Sequence, residues 1–164
     1  MPVEVVALYR AHAARVWRYA RARVPSDTDA EDVTSEVFIR AMRSHHRFDP
    51  DKGTEGAWIA GISRHVVADW WRRRAPEDPV DVVAEQASVQ EDPTADIAVR
   101  GEAVAGIQAF LDRLSDRERE AVALRFGAEL SSPEIGAVME ISPTAARMLV
   151  HRGMTKLREL MGDE

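Results

Sequence analysis

The sequence SPEIGAVMEISPTAARMLVHRGMTKLREL, from Ser132 to Leu160, predicts a short helix, a tight turn and a longer helix. Each helix starts with a serine and a proline, Ser132-Pro133 and Ser142-Pro143, and we predict serine as N-cap and proline as first helical residue. This order is typical of a helix-turn-helix, whose second helix enters the DNA major groove. A three-helix bundle with a basic final helix is the alternative interpretation.

The longer helix has an apolar and a polar face. At helical spacing the apolar side chains point inward: Ala146, Leu149, Val150 and Leu157. The outward set is polar and mostly basic: Thr144, Arg147, His151, Arg152, Lys156 and Arg158. Cationic side chains in this position suit contacts to phosphates and base edges, so this face is a candidate DNA-binding surface.

The helical pattern continues upstream of this motif. From Ile97 to Leu114 apolar residues recur at helical spacing, and Ser115 is a predicted N-cap for the segment DREREAVALRFG. Three apolar residues of that segment are expected to be buried: Val122, Leu124 and Phe126. Gly127 suits the C-terminal end of this helix.

A change in composition separates these helices from the N-terminal part of the chain. The segment Ala75–Asp96 contains three prolines and seven acidic residues and sustains no periodicity, so it predicts a flexible acidic linker. It is either a passive tether or an acidic strand that lies in a basic channel of a partner. The predicted fold is all-α, with two small helical domains, residues 1–74 and 97–164.

The N-terminal domain ends in the helix TEGAWIAGISRHVVADWWRRR, from Thr54 to Arg74. Four apolar residues at helical spacing should face a core: Ile59, Ile62, Val66 and Trp70. Trp58 and Trp71 lie off this stripe, where an indole can stack on a base while nearby arginines hold phosphates. Alternatively, the tryptophans are core residues and the terminal arginines complement the helix dipole.

Two more helices precede this one. The first runs from Val3 to Val24, with a predicted core stripe of Val6, Ala13, Val16, Trp17, Ala20 and Val24. The second has N-cap oxygens in Ser26 or Thr28 and runs to about Arg43. Its first turn carries three acidic residues, Asp29, Glu31 and Asp32. They either compensate the helix dipole or form a docking face for a basic partner.

The loop from His45 to Gly53, HHRFDPDKG, begins with two adjacent histidines, which are candidate metal ligands. His45 and His46 could ligate a metal, but no carboxylate supports them, so solvated histidines are the favoured interpretation. We predict no metal and no cofactor.

Composition limits the classes of function. The 164 residues carry a formal net charge of -6 and no cysteine, so disulfides and thiolate metal sites are excluded. Residues 1–74 hold 13 basic and 10 acidic side chains, so the acidity is concentrated further along the chain. Overall charge argues against a protein that finds duplex DNA unaided. No segment has signal-peptide or membrane-spanning character, so we expect a soluble cytoplasmic protein without membrane insertion.

Three motifs together resemble one family. They are DAEDVTSEVFIRAMR (Asp29–Arg43), the WIAGISRHVVADWWRRR helix, and the helix-turn-helix segment behind the acidic linker. This constellation is similar to bacterial sigma factors of the extracytoplasmic-function group, in the sigma-70 family. The resemblance covers nearly the whole chain. It implies two helical domains, no enzyme chemistry, and binding to core RNA polymerase and promoter DNA.

The resemblance also assigns roles to residues. The acidic helix would dock on the clamp coiled coil of the polymerase large subunit. Its docking residues would be Asp29, Glu31, Asp32 and Glu36. The loop 44–54 would receive a flipped base of the minus-ten element, and the following helix would promote melting. The residues expected to bind the minus-ten DNA are Phe48 in the loop and, in the helix, Arg64, His65, Trp71, Arg72, Arg73 and Arg74. The final helix would read the minus-thirty-five element: Thr144, Arg147, His151, Arg152 and Lys156.

Some residues depart from the family pattern. His65 stands where asparagine is common, which bears on the minus-ten base read there. At four positions of the final helix the relatives often carry polar or basic side chains, whereas this chain has Met148, Leu149, Met154 and Thr155. We therefore expect few phosphate contacts and weak affinity for isolated minus-thirty-five DNA. We also expect an anti-sigma protein that hides both domains, and no C-terminal regulatory extension.

Three other classes of protein compete with this interpretation. A stand-alone helix-turn-helix regulator would bind duplex DNA without polymerase, as a dimer on a palindrome. A helical interaction protein would leave Trp71 and the arginine cluster without a role. An enzyme is disfavoured because the sequence has no nucleophile-base pairing, metal triad or glycine-rich phosphate loop.

Overall fold

The computed structural model describes residues 3–74 and 108–162, which contain helices and no strand. The all-α prediction is therefore confirmed for these residues. The predicted linker, Ala75–Asp96, and the helical pattern predicted from Ile97 to residue 107 lie outside the described residues. What is described forms two helical units, an N-terminal unit (residues 3–74) and a C-terminal unit (residues 108–162).

The N-terminal unit packs three helices around an apolar core. They are α1 (Val3–Arg23), α2 (Asp27–Ser44) and α3 (Glu55–Arg74), with a 3-10 turn at His45–Arg47. Ser26 caps α2 by accepting a hydrogen bond from the Asp29 N–H at 3.1 Å. The Thr54 hydroxyl does the same for the Ala57 N–H at the start of α3, also at 3.1 Å. Between the helices lie the buried side chains of Val33, Val37, Ile59 and Val67.

The C-terminal unit contains the predicted helix-turn-helix. After a helical turn at 108–111 come α4 (Asp116–Val122), a π-helical turn (Ala123–Gly127), α5 (Ser132–Met139) and α6 (Pro143–Gly162). Ser115 caps α4 as predicted, because its side chain accepts from the Glu118 N–H while the Glu118 carboxylate accepts from the Ser115 N–H.

The predicted cap of α5 is wrong by one residue. Ser131, not Ser132, accepts the hydrogen bond of the Glu134 N–H, at 3.3 Å, and the Glu134 carboxylate accepts from the Ser131 N–H at 3.1 Å. This reciprocal pair needs a glutamate three residues after the cap, and only Ser131 has that spacing. The predicted cap of α6 is confirmed, because Ser142 Oγ accepts from the Ala145 N–H at 3.0 Å.

The turn between α5 and α6 is tight because Gly136 has no side chain. Glu140 ends α5 in the left-handed region, with φ of 60°, and turns the chain back over the helix. A Cβ built on Gly136 would lie 2.7 Å from the carbonyl oxygen of Ile141. The closeness of this approach sets the geometry of the helix-turn-helix.

We expect Gly136→Ala to destabilise the C-terminal unit. Because the new methyl group would meet backbone rather than a movable side chain, the cost should be about 1–3 kcal/mol, seen as a lower melting temperature. In an open helix the same change would stabilise by roughly 0.5–1 kcal/mol. Gly162→Ala is the matched control, since among the described residues only its own stretch of helix backbone lies within 4 Å of its Cβ position. Equal melting temperatures of the two variants would contradict this packing.

The buried face of α1 differs from the predicted one. Val6 is 42% exposed, whereas Leu8, His12 and Tyr19, which the predicted stripe omits, are buried. The buried stripe is rotated because α3 and the C-terminal unit cover this side of α1. His12 Nε2 lies 2.8 Å from the Glu55 carboxylate at the start of α3.

Phe126 is also placed differently from the prediction. Val122 and Leu124 are buried as expected, but the Phe126 side chain is 54% exposed. The reason is the π-helical turn, in which the Ala128 N–H donates to the Ala123 carbonyl at 3.1 Å. Its wider turn breaks the 3.6-residue spacing on which the prediction depends, and Phe126 rotates outward.

The two units share one continuous cluster of buried apolar residues. The π-helical turn packs on α1, and α5 packs on α3. Among the described helices, none combines the length and the apolarity that a membrane crossing demands.

Candidate functional site

The acidic face of α2 is partly engaged and partly open. Asp29 accepts a hydrogen bond from the Ser26 hydroxyl at 2.8 Å and pairs with Arg74 at 3.3 Å. Glu36 pairs with Arg40, one helical turn on, at 3.1 Å. Glu31 and Asp32 are exposed, and within the described ranges Asp32 has no hydrogen-bond or ion-pair partner. This face therefore offers carboxylates to a cationic surface.

A crevice separates α2 from α3 beside that face. Its rim carries opposite charges, with acidic side chains from α2 and basic ones from the end of α3: Asp32, Glu36, Arg73 and Arg74. Arg40 crosses between the helices and pairs with Asp69 of α3 at 2.9 Å. Hydrogen bonding from Arg40 holds the pKa of Asp69 below its usual value. The acidic surface and the basic end of α3 are thus joined by ion pairs.

An aromatic cluster lies where the loop after α2 meets α3. The Phe48 ring is 5.3 Å from the Trp58 ring and 6.5 Å from the His45 ring, measured between centroids. His45 and Trp58 are 5.9 Å apart. All three side chains are half-buried, so part of each ring remains open to solvent. A surface of this kind can stack an unpaired base.

The two histidines that the sequence offers as metal ligands lie in different surroundings. His45 packs against the aromatic rings and His46 is exposed. In the described part of the chain no group of three or more His, Cys, Asp or Glu side chains is arranged to hold a metal ion.

The C-terminal end of α3 is basic and aromatic, as predicted. The Arg74 guanidinium lies over the Trp70 ring, 4.2 Å from its centroid. Trp71 meets Trp70 edge to face and is 43% exposed, with its indole N–H donating to the Arg23 carbonyl at 2.9 Å. Arg72 pairs with Asp69, while Arg73 and His65 are exposed. Cations and an open indole face therefore lie together here.

Arg64 is the member of the predicted minus-ten set that the structure places elsewhere. Its Nε donates to the Glu120 carboxylate at 2.6 Å, and its Nη1 donates to the Val138 carbonyl at 2.9 Å. Both partners belong to the C-terminal unit. In this arrangement Arg64 lies in the contact between the units.

The outward face of α6 carries the second predicted set. Thr144, Arg147, His151 and Arg152 are exposed on one side of the helix. Lys156 instead reaches back to the Glu118 carboxylate at 2.7 Å, and this bond is the main reason that the pKa of Glu118 lies below its usual value. Ala146 and Leu157 are buried, and Leu149 and Val150 are half-buried, in line with the predicted inward face.

The predicted residues thus form three surfaces, with the acidic surface and the aromatic and cationic surface on the N-terminal unit and the α6 surface on the C-terminal unit. Sequence reasoning missed two contributors to the aromatic surface, His45 as a ring partner and the contact of Trp58 with Phe48. The sequence signal that could have predicted these contacts is the presence of aromatic residues on both sides of the loop. It also missed Arg15, Arg18 and Glu129, which join the units. No local pattern marks them.

Comparison with known families matches both units. The model described as "Sigma-70 region 2" matches residues 8–77, and the model described as "Sigma-70, region 4" matches residues 110–159. The chain belongs to the sigma-70 family. The resemblance inferred from the sequence is therefore confirmed, and its two domains correspond to the two units of the structure.

Curated relatives place this sigma factor in the extracytoplasmic-function group. The extracytoplasmic-function (ECF) RNA polymerase sigma factor SigE of Mycolicibacterium smegmatis is 36% identical over 161 residues, which cover 94% of this chain and 60% of SigE. The RNA polymerase sigma factor CarQ of Myxococcus xanthus is 34% identical, over 95% of this chain and 88% of CarQ. The chain spans about three fifths of the length of SigE.

Solved structures share the fold of this sigma factor. CnrH, in complex with the cytosolic domain of CnrY, superimposes with a TM-score of 0.72 at 25% identity, over 98% of this chain and 89% of CnrH. RpoE of Bartonella quintana, in complex with the anti-sigma factor NepR, gives a TM-score of 0.69 at 21% identity, over 98% of this chain and 96% of RpoE.

Proposed function

We propose that this chain is a transcription initiation factor that binds core RNA polymerase, directs it to specific promoters and helps to melt the minus-ten region. The observation that carries the proposal is the pairing, within one unit, of an open acidic face on α2 with an aromatic and cationic surface on α3. A stand-alone regulator needs only the helix-turn-helix.

The acidic face of α2 is proposed as the polymerase contact. Its members are Asp29, Glu31, Asp32 and Glu36. Carboxylates grouped on one helix complement a basic partner and set its orientation, because opposite potentials steer the encounter and like charges penalise wrong partners.

The aromatic cluster and the end of α3 are proposed to hold the separated minus-ten strand. Extruding a base costs a few kcal/mol of stacking, and a ring surface recovers part of it. Phe48 with Trp58 offers such a surface, while Arg72, Arg73 and Arg74 supply charge for the phosphates. His65 and Trp71 are exposed on the same helix.

The exposed face of α6 is proposed to read the minus-thirty-five element. Thr144, Arg147, His151 and Arg152 project from the N-terminal and middle turns, which are the turns that enter the major groove in this motif. Lys156 would first have to leave Glu118, so we assign it a phosphate contact rather than base recognition.

Replacing both Arg147 and Arg152 with alanine should weaken promoter selection while leaving polymerase binding intact. Each arginine that contacts a base contributes about 1–3 kcal/mol of discrimination, so the preference for the cognate minus-thirty-five sequence should fall at least tenfold. Transcription from cognate and scrambled templates measures this ratio, and co-purification with core polymerase serves as the control. An unchanged ratio would contradict the assignment to α6.

A protein partner that covers this sigma factor is also proposed. CnrH, which shares the fold at 25% identity, was solved with the cytosolic domain of a second protein bound to it. An anti-sigma factor acting in this way would withhold the chain from polymerase in the cell interior, where sigma factors of this group act. The proposal assigns no chemical step to the chain.

The decisive experiment is abortive transcription by core RNA polymerase from the source organism, at a stated salt concentration, with and without this protein. The template is the promoter region upstream of its own gene. Protein-dependent initiation at a defined start supports the proposal. Failure to bind core polymerase would return the chain to the class of stand-alone regulators.

A further inference from the structure

Met148 is a large apolar side chain on the exposed side of α6. Its exposed fraction is 49%. At about 100° of rotation per helical residue, it lies about 160° from Ala146 and about 180° from Leu157 around the helix axis. Both of those side chains are buried in the core of the C-terminal unit. Met148 is therefore close to the middle of the face that points away from the core.

Polar and cationic side chains surround Met148 on this face. Thr144, one turn earlier, and His151, one turn later, are both exposed. Arg147 lies about 100° to one side of Met148 around the helix axis, and Arg152 lies about 40° to the other side. These two arginines are exposed as well. The face thus has an apolar centre with a cation on each flank.

The position of Met148, rather than its exposure, sets it apart. Single exposed apolar side chains are common on protein surfaces. Met161, on the same helix, is 53% exposed. It lies about 140° from Met148 around the axis and about 20 Å further along it, away from the residues proposed to read DNA. Of these two methionines, only Met148 is placed among those residues.

This position decides which part of duplex DNA Met148 can contact. When a recognition helix lies in the major groove, the middle of its outward face meets the base edges, and its flanks meet the phosphates. The base edges present hydrogen-bonding groups and one methyl group, which is the C5-methyl of thymine. A thioether side chain carries no charge and donates no hydrogen bond, so the methyl group is the part of the groove that it complements.

We propose that Met148 is a specificity-determining residue of the minus-thirty-five contact and that it packs on the C5-methyl group of a thymine. Its long, unbranched and flexible side chain can follow the irregular floor of the groove. A base pair without that methyl group leaves the thioether against polar edges whose hydrogen bonds are not made. The inference rests on the proposed function, because it assigns a base to the α6 surface.

Replacing thymidine with deoxyuridine tests this contact, because the only difference is the missing C5-methyl group. Each thymine of the minus-thirty-five element, on either strand of a promoter that the protein recognises, is replaced singly. With holoenzyme below saturation, one replacement should lower transcription by the wild type about fourfold, which is the effect of one buried methyl group. Met148→Ala should transcribe the unmodified template about as weakly and should not respond to that replacement.

Three further variants define the chemistry of the contact. Met148→Leu stays apolar and should keep the response to deoxyuridine, whereas Met148→Gln, of similar length but polar, should lose it. Met161→Ala is the matched control and should respond as the wild type does. Thermal unfolding of all variants should match the wild type, because both methionines are exposed.

Two results would overturn the inference while leaving the proposed function intact. One is a minus-thirty-five element that contains no thymine, and the other is an equal response of the wild type and Met148→Ala to every deoxyuridine. Absence of any protein-dependent transcription, with wild type and variants alike, would contradict the proposed function and this inference with it.

Discussion

Asp32→Arg is expected to abolish binding of core RNA polymerase and to leave the fold intact. Asp32 is exposed on α2, and in the described ranges no group pairs with its carboxylate. An exposed carboxylate contributes little to stability, so the free energy of unfolding should change by no more than about 0.5 kcal/mol. At a basic interface, however, the reversed charge meets like charge, which costs several kcal/mol.

Co-purification with core polymerase measures this effect directly, and the retained fraction should fall by about 100-fold or more. Glu159→Arg makes the same charge change at an exposed position of α6 and should leave polymerase binding unchanged. Thermal unfolding of both variants should match the wild type. Normal co-purification of Asp32→Arg would refute the assignment of the α2 face.

Phe48→Ala should have the second largest effect, on promoter melting. Stacking of one base on an aromatic ring contributes about 1–3 kcal/mol, so open-complex formation on a duplex promoter should fall roughly 5- to 150-fold. The physical reason is that Phe48 and Trp58, 5.3 Å apart between ring centroids, provide the ring surface that replaces the neighbouring bases.

Permanganate reactivity of thymines in the minus-ten region reports the open complex. Phe48→Leu keeps apolar bulk against Trp58 without an aromatic face, and it should be impaired nearly as much as alanine. A template with a pre-melted minus-ten region should restore transcription by both variants, because strand separation is already supplied. Wild-type melting by Phe48→Ala would rule out the aromatic surface as a base platform.

The acidic surface and the strand-binding surface are physically connected. Arg40 bonds to Glu36 on α2 and to Asp69 on α3, and Asp69 in turn pairs with Arg72. Asp29 pairs with Arg74 in the same way. In the proposed docking, a polymerase group that engages Asp29 would compete directly with Arg74, whereas one that engages Glu36 would compete with Arg40 and reach Arg72 only through Asp69.

Local sequence features predicted the elements with good accuracy. Ser115 and Ser142 cap their helices as expected, because a serine hydroxyl satisfies an N–H within three residues and needs no distant partner. The misplaced cap at Ser132 arose where two serines adjoin, and the position of Glu134 decides between them. The family resemblance followed from the same local patterns, because its motifs are short and contiguous.

Local patterns misjudged the burial of side chains on α1 and in the π-helical turn. Helical periodicity gives the width of an apolar stripe, but its direction depends on what packs against the helix. For α1 that neighbour includes the π-helical turn, which buries Tyr19 and leaves Val6 exposed. Within the turn itself, the i to i+5 hydrogen bond of Ala123 rotates Phe126 to the surface.

The sequence by itself determined the helices, most of their caps, the helix-turn-helix and the family, because each depends on residues within a few positions of one another. Only the tertiary structure decided that Arg64 is bound by Glu120 and that Glu129 holds Arg15 and Arg18. These partners lie 56, 114 and 111 residues apart. Pairing at such separation depends on how two units dock, and Coulomb attraction alone specifies neither partner nor geometry until the chain has brought the charges together.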